Sequence, residues 1–203
     1  LLEAKEILIR GTNWIGDVIM SLPALEAVRK SVPHARITVL AKPWVADLYR
    51  MMPGVDEVLV YRSPGIHEGT KGKVRLSREL RSRQYDAALL FQNAFEAALI
   101  TALARIPVRA GYSTDGRRLL LTHPVKKRKG VEKLHQVYYY RELVQALGFT
   151  ADQGELLIRP DNGIMRRADE ILGDAGIKEG DRLVGIAPGA AYGPAKMWYP
   201  DRF

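Results

Sequence analysis

Two hydrophobic periods alternate along this chain. The apolar run Ile7-Leu8-Ile9 lies within a strand predicted over Glu6–Arg10, and after a turn at Gly11-Thr12-Asn13 the spacing changes. Apolar residues at Ile15, Val18, Ile19, Leu22, Leu25, Val28 and Val32 recur every three or four positions, as on a helix with one face against a sheet. Pro23 falls inside that pattern and predicts a kink or a late start of the regular helix. A second strand over Arg36–Ala41 follows Pro33, so the economical reading is a parallel βαβ unit.

The alternation continues with a short helix at 45–51, a strand at 55–60 and a loop at 62–73 rich in Gly, Pro, Ser and Lys. A helix at 74–83 leads into Ala87-Ala88-Leu89-Leu90-Phe91, whose unbroken apolar character suits a strand buried on both faces. A helix at 94–104 and a strand at 108–111 complete a doubly wound α/β domain. Beyond Ser113 the pattern weakens. A helix from about His135 turns Val137, Tyr140, Val144 and Leu147 inward and ends at Gly148. A brief strand at 156–158, a helix at 164–175 and a strand at 183–187 follow, the last opening a second βα unit. The domain edge is placed between Gly176 and Leu183, giving units 1–178 and 179–203, and the chain is expected to be truncated within the second.

Composition narrows the chemistry only in part. A formal charge of +8 calls for an anionic partner, and the absence of cysteine removes disulfides and thiolate metal centres. No apolar run is long enough for a bilayer-spanning helix. One basic stretch runs from Arg62 to Arg83 and a second from Arg117 to Lys133. Neither is interleaved with aromatics as a single-stranded nucleic-acid surface would be, so phosphorylated or carboxylated ligands and anionic lipid fit better.

Candidate site residues cluster after strands, where open α/β sheets bind ligands. Gly11, Thr12, Asn13, Trp14 and Gly16 form a turn that lacks both the dinucleotide fingerprint and a phosphate-loop lysine. Asp17 could act there as a general base, or simply favour the first helical turn electrostatically. Trp14 could equally be a core anchor. Gln92 and Asn93 could orient sugar hydroxyls, with Asn93 alternatively a helix cap. Arg109 is either an anion ligand or a paired strand end. The segment from Gly185 to Pro200 is a small-residue loop presenting Lys196, suited to a diphosphate or to plain connection.

Taken together, Gly11–Pro23 and Pro188–Pro200 resemble the signatures of the ADP-heptose:lipopolysaccharide heptosyltransferases, glycosyltransferase family 9. Asn13-Trp14 points to the heptosyltransferase II branch. The resemblance implies a GT-B enzyme with a Rossmann-like acceptor-binding domain at 1–178 and the start of a Rossmann-like ADP-heptose domain at 179–203. It carries the catalytic base onto Asp17 and the donor diphosphate onto Lys196, Gly189, Ala190, Ala191 and Tyr192. Acceptor binding or site shaping falls to Gly11, Thr12, Asn13, Trp14, Gly16, Gln92, Asn93 and Arg109. Met197 departs from the family pattern, which often has arginine there.

The implied reaction is inverting transfer of L-glycero-D-manno-heptose from ADP-heptose to the heptose-Kdo inner core, with no cofactor and no metal site. The implied partners are ADP-heptose, the phosphorylated Kdo-lipid A glycolipid and the anionic inner-membrane surface, not nucleic acid, and the implied location is the cytoplasmic face of that membrane. Transfer to the acceptor of heptosyltransferase I or III is the near alternative. A non-catalytic basic module binding anionic lipid or RNA is the distant one.

Overall fold

The computed structural model describes residues 1–151, 158–178, 180–186, 189, 197 and 199–202. The chain folds as two compact units, Leu1–Arg159 and Pro160–Phe203. This division falls ahead of the 178/179 edge drawn from the sequence.

In the first unit six strands form one parallel sheet: β1 (Glu6–Arg10), β2 (Arg36–Ala41), β3 (Glu57–Val60), β4 (Ala87–Leu90), β5 (Val108–Tyr112) and β6 (His123–Val125). Their order across the sheet is β3-β2-β1-β4-β5-β6. The chain thus winds outward from β1 in one direction, returns, and winds outward from β4 in the other, the doubly wound Rossmann-like arrangement expected from the sequence. β1 and β2 are neighbours, with Glu6 opposite Arg36 and Arg10 opposite Leu40.

Because successive side chains on a strand point to opposite faces, the sheet feeds two cores. Ile7, Ile9, Ile37, Val39 and Leu89 join one cluster with residues of α1 (Ile15–Ser31), α2 (Pro43–Arg50) and α5 (Gln136–Ala146). Leu8, Leu40, Ala88 and Leu90 join the other with α3 (Gly69–Ser82) and α4 (Phe95–Leu103). These central side chains are fully or almost fully buried, which is why their strands read as continuous apolar runs rather than alternating ones.

Several boundaries differ from expectation for physical reasons. α1 runs unbroken through the buried Pro23, so the late start is not seen. α3 begins at Gly69, within the stretch expected to be loop. Gly72 is needed there because a Cβ would lie 2.2 Å from the carbonyl carbon of His67. β6 was missed because it is three residues long with Pro124 in its centre, a residue that an edge strand tolerates. In α5 the deeply buried residues are Tyr139, Tyr140, Leu143 and Val144, while Val137 and Leu147 are half-buried.

In the second unit, α6 (Asn162–Asp174) is capped by Asp161, whose Oδ1 accepts from the N–H groups of Gly163 and Ile164 at 2.7 and 2.9 Å. The strand expected at 183–187 is not present over Leu183–Ile186, and Ala187 lies outside the described residues. An apolar run makes a strand only beside a partner, and no strand exists among the described residues of this unit. Of the strand expected at 156–158, Leu156 and Leu157 lie outside the described residues and Ile158 is not in a strand.

Candidate functional site

In a doubly wound sheet the loops leaving the two central strands diverge to opposite faces and open a crevice between them. Here those strands are β1 and β4, and the loops are Gly11–Trp14 and Phe91–Ala94. The sequence-predicted residues Gly11, Thr12, Asn13, Trp14, Gly16, Asp17, Gln92 and Asn93 therefore share one edge of the sheet.

Asp17 sits in the first turn of α1, whose N-cap is Trp14 with extended backbone and no side-chain cap bond. Its carboxylate accepts no hydrogen bond and joins no ion pair among the described residues, so it does not cap the helix through a side-chain bond, while its place in the first turn keeps the electrostatic role read from the sequence. Partial burial raises its pKa above the ordinary aspartate value. A half-buried carboxylate with raised proton affinity and no hydrogen-bond partner among the described residues is chemically available to take a proton from a ligand hydroxyl. Among the described residues, no group of three or more His, Cys, Asp or Glu side chains is placed to hold a metal ion.

The two turn glycines do different things. A Cβ on Gly11 would lie 2.7 Å from the Cζ and hydroxyl of Tyr49, so glycine is what lets this fully buried ring close under the turn. The Tyr49 hydroxyl accepts from the Thr12 N–H at 2.9 Å and shares a 3.2 Å hydrogen bond with Thr12 Oγ1. A Cβ on Gly16 would meet nothing within 4 Å, so that side of the turn is open. Trp14 is half-exposed at the rim, outside both core clusters. Beside it Trp44 is also half-exposed and donates its ring N–H to the Asn13 carbonyl at 2.7 Å.

Under this rim lies a group of charged residues of which sequence reasoning marked only Lys73, within the Arg62–Arg83 stretch. Arg10, 2% exposed at the end of β1, donates to the carbonyls of Gly11 and Leu40 and to Asn13 Oδ1 at 2.9 Å, and makes no salt bridge to a carboxylate among the described residues. Burial lowers its pKa against smaller opposing effects of Tyr49, Tyr61 and Glu96. Lys42, just past β2, donates to Ser63 O at 2.7 Å and lies 3.9 Å from the centre of the Tyr61 ring. Burial and the neighbouring Arg10 lower its pKa. The Tyr61 hydroxyl donates to Glu96, which also pairs with Lys73 at 2.8 Å. Burial pushes the Glu96 pKa up, but the bonds from Lys73 and Tyr61 outweigh it and the net shift is downward. Three cations, Arg10, Lys42 and Lys73, thus lie near one carboxylate, Glu96, and the group beneath the turn carries net positive charge. The available signal was a charged residue closing each apolar strand, Arg10 after Ile9 and Lys42 after Ala41.

The other predicted residues part company. Arg109 lies toward the start of β5, away from the crevice edge, and its guanidinium is occupied by the carbonyls of Leu120 and Ile106. Asn93 accepts from Arg117 at 3.0 Å and donates to the Tyr139 hydroxyl, while the Gln92 side chain has no hydrogen-bond partner among the described residues. Arg117, read from the sequence as the start of a basic run suited to an anionic partner, is fully buried. Gly189 is described and exposed; Lys196, Ala190, Ala191 and Tyr192 lie outside the described residues.

The model of glycosyltransferase family 9 (heptosyltransferase) matches residues 73–203. The lipopolysaccharide heptosyltransferase 2 of Salmonella typhimurium is 30% identical over 201 residues, covering 95% of this chain and 56% of its own length. The lipooligosaccharide heptosyltransferase 2 of Haemophilus ducreyi is 30% identical over 208 residues with the same coverage. Among solved structures, a family 9 glycosyl transferase from Veillonella parvula superposes with a TM-score of 0.87 at 25% identity, covering 98% of this chain and 57% of that one. The Escherichia coli ADP-heptose lps heptosyltransferase II gives 0.76 at 26% identity, covering 96% and 57%. The chain thus spans little more than half the length of the relatives it matches. The Rossmann-like sheet agrees with the GT-B architecture of those structures, and the chain belongs to glycosyltransferase family 9, the heptosyltransferases.

Proposed function

We propose that this chain provides the acceptor side of an inverting heptosyltransferase that moves L-glycero-D-manno-heptose from ADP-heptose to the heptose-Kdo inner core of lipopolysaccharide. The observation that carries this reading is Asp17, a carboxylate of raised proton affinity with no hydrogen-bond partner among the described residues, at the crevice edge of a family 9 fold. In the reaction a hydroxyl of the acceptor heptose attacks the anomeric carbon. Asp17 takes its proton as the new C–O bond forms, and the bond to the ADP oxygen breaks with inversion. Lys196 and the backbone of Gly189–Tyr192, on the donor-binding side at 179–203, neutralise charge on the departing diphosphate.

The net positive charge of the group beneath the turn, Arg10, Lys42 and Lys73 against Glu96, suits a phosphorylated glycolipid, and the half-exposed Trp14 and Trp44 suit contact with its sugars or with lipid head groups. That supports a peripheral position at the cytoplasmic face of an anionic membrane, and no described helix is long and apolar enough to cross one.

The test is incubation of the intact enzyme with ADP-heptose and Kdo-lipid A acceptors carrying no heptose or one heptose, with products read by mass spectrometry. Transfer to the singly heptosylated acceptor is expected. Transfer only to the heptose-free acceptor would move the assignment to the heptosyltransferase I reaction. Absence of transfer to either, with retained binding to anionic vesicles, would favour a non-catalytic lipid-binding module.

A further inference from the structure

Arg117 is 0% exposed and makes no salt bridge among the described residues, with Asp115 acting on it only through space, and although burial lowers its pKa to about 10 it stays protonated at neutral pH. Its guanidinium is spent on neutral acceptors. Nε donates to Tyr112 O at 2.8 Å, one Nη to the Gln92 carbonyl, and the other to Asn93 Oδ1 at 3.0 Å. A Cβ at residue 111 would lie 3.3 Å from that last nitrogen and 3.1 Å from Leu90 Cβ, so Gly111 leaves the space through which the fork reaches the turn after β4.

The turn is held from its other side as well. The Gln92 N–H donates to Arg10 O at 3.3 Å, and Asn93 Nδ2 donates to the Tyr139 hydroxyl. Asn93 thus has its oxygen turned to Arg117 and its nitrogen to Tyr139, and both ends of the amide serve the protein. Gln92, one position earlier, has its backbone fixed at both N–H and C=O while its half-exposed side chain has no hydrogen-bond partner among the described residues.

An apolar side chain of similar length would fill the volume of Arg117 without the cost of burying a charge. What it cannot supply is three donors at fixed angles. We infer that Arg117 is a positioning residue which clamps the turn after β4, and that Gln92, not Asn93, is the amide it presents to the acceptor sugar. This rests on the proposed reading of the crevice as the acceptor site. The amide can donate to one sugar oxygen and accept from a neighbouring hydroxyl, so its effect falls on the acceptor and not on the nucleotide donor.

The experiment is a double-mutant cycle in the intact enzyme with Gln92→Ala, Arg117→Met and the pair, measuring kcat and KM for each substrate in turn. Gln92→Ala and Arg117→Met should each lower kcat/KM for the acceptor tenfold or more, with the KM for ADP-heptose within twofold of wild type. The double variant should fall no more than about threefold below the weaker single. A Gln92→Ala enzyme within twofold of wild type would overturn the inference, as would losses that multiply in the pair. Should Arg117→Met fail to fold, Arg117→Lys replaces it, retaining charge without the fork, and the same split is expected. If neither folds, Gln92→Ala alone decides.

A wild-type enzyme without heptosyl transfer would instead overturn the functional reading. The clamp is then judged by the side-chain amide resonance of Gln92, identified by its loss in Gln92→Ala. That resonance shifts in Arg117→Lys if the clamp holds the turn and stays in place if it does not.

Discussion

Replacing the two glycines of the first turn by alanine should produce opposite effects, although the sequence treats them alike. At Gly11 the added Cβ would sit 2.7–2.8 Å from three atoms of the Tyr49 ring. That ring is fully buried and cannot swing into solvent, so either it or the turn must move. Overpacking of this kind costs about 1–3 kcal/mol. Displacing the Tyr49 hydroxyl also leaves the buried Thr12 N–H without its 2.9 Å acceptor, which costs about another 1–3 kcal/mol. Gly11→Ala should therefore destabilise by roughly 2–6 kcal/mol, a large share of the 5–15 kcal/mol typical of a domain. At Gly16 the Cβ would enter open space in the first turn of α1, and alanine in place of glycine stabilises such a position by about 0.4–1 kcal/mol. Urea unfolding followed by circular dichroism separates the two. With a slope of about 2 kcal/mol/M, the Gly11→Ala midpoint should fall by about 1 M or more, and the Gly16→Ala midpoint should stay level or rise. A Gly11→Ala midpoint within about 0.2 M of the parent would refute the packing argument.

Other expectations follow from the same geometry. Asp86 Oδ2 accepts from the N–H groups of Lys5 and Glu6 at 2.8 and 2.9 Å, and those bonds lower its pKa. Its contribution is therefore present above the ordinary aspartate pKa and lost as pH falls through the lowered one, so Asp86→Ala should reduce the thermal midpoint at pH 7 and have little effect near pH 2, by calorimetry. Asp17 has the opposite sign, its raised pKa making its ionised form the unfavourable one. Asp17→Asn should thus stabilise the fold at neutral pH, with the difference vanishing below the ordinary aspartate pKa in the same scans. On the proposed reading, in which the Lys196 charge acts on the diphosphate before and during bond cleavage, Lys196→Ala should weaken calorimetric binding of ADP-heptose and lower kcat together; an unchanged affinity would remove it from the donor site.

The parts of the fold legible in the sequence were those where one force dominated. β1, β2 and β4 are buried on both faces, so unbroken apolar runs marked them to within a residue. The start of α3 was hidden because Gly69 and Gly72 read as loop, and nothing local reveals that Gly72 packs against the His67 backbone. Asp17 was legible because its position after β1 follows from topology. That its carboxylate accepts no hydrogen bond among the described residues was not, since capping and availability leave the same residue at the same spacing. Arg117 was misread for a different reason. A basic run gives no sign of which member the fold turns inward, and only the register of β5 against β4 brings Tyr112, Gln92 and Asn93 within its reach.

The central claim is that the Asp17 carboxylate accepts the acceptor's proton, and the most direct measurement is steady-state transfer by the intact enzyme carrying Asp17→Asn, paired with calorimetric binding of ADP-heptose. Asparagine preserves size and most hydrogen bonding but removes the base. Donor affinity should stay close to the parent while kcat falls by roughly two to four orders of magnitude. A folded Asp17→Asn enzyme whose kcat stays within about threefold of the parent, under conditions where chemistry limits the rate, would contradict the claim.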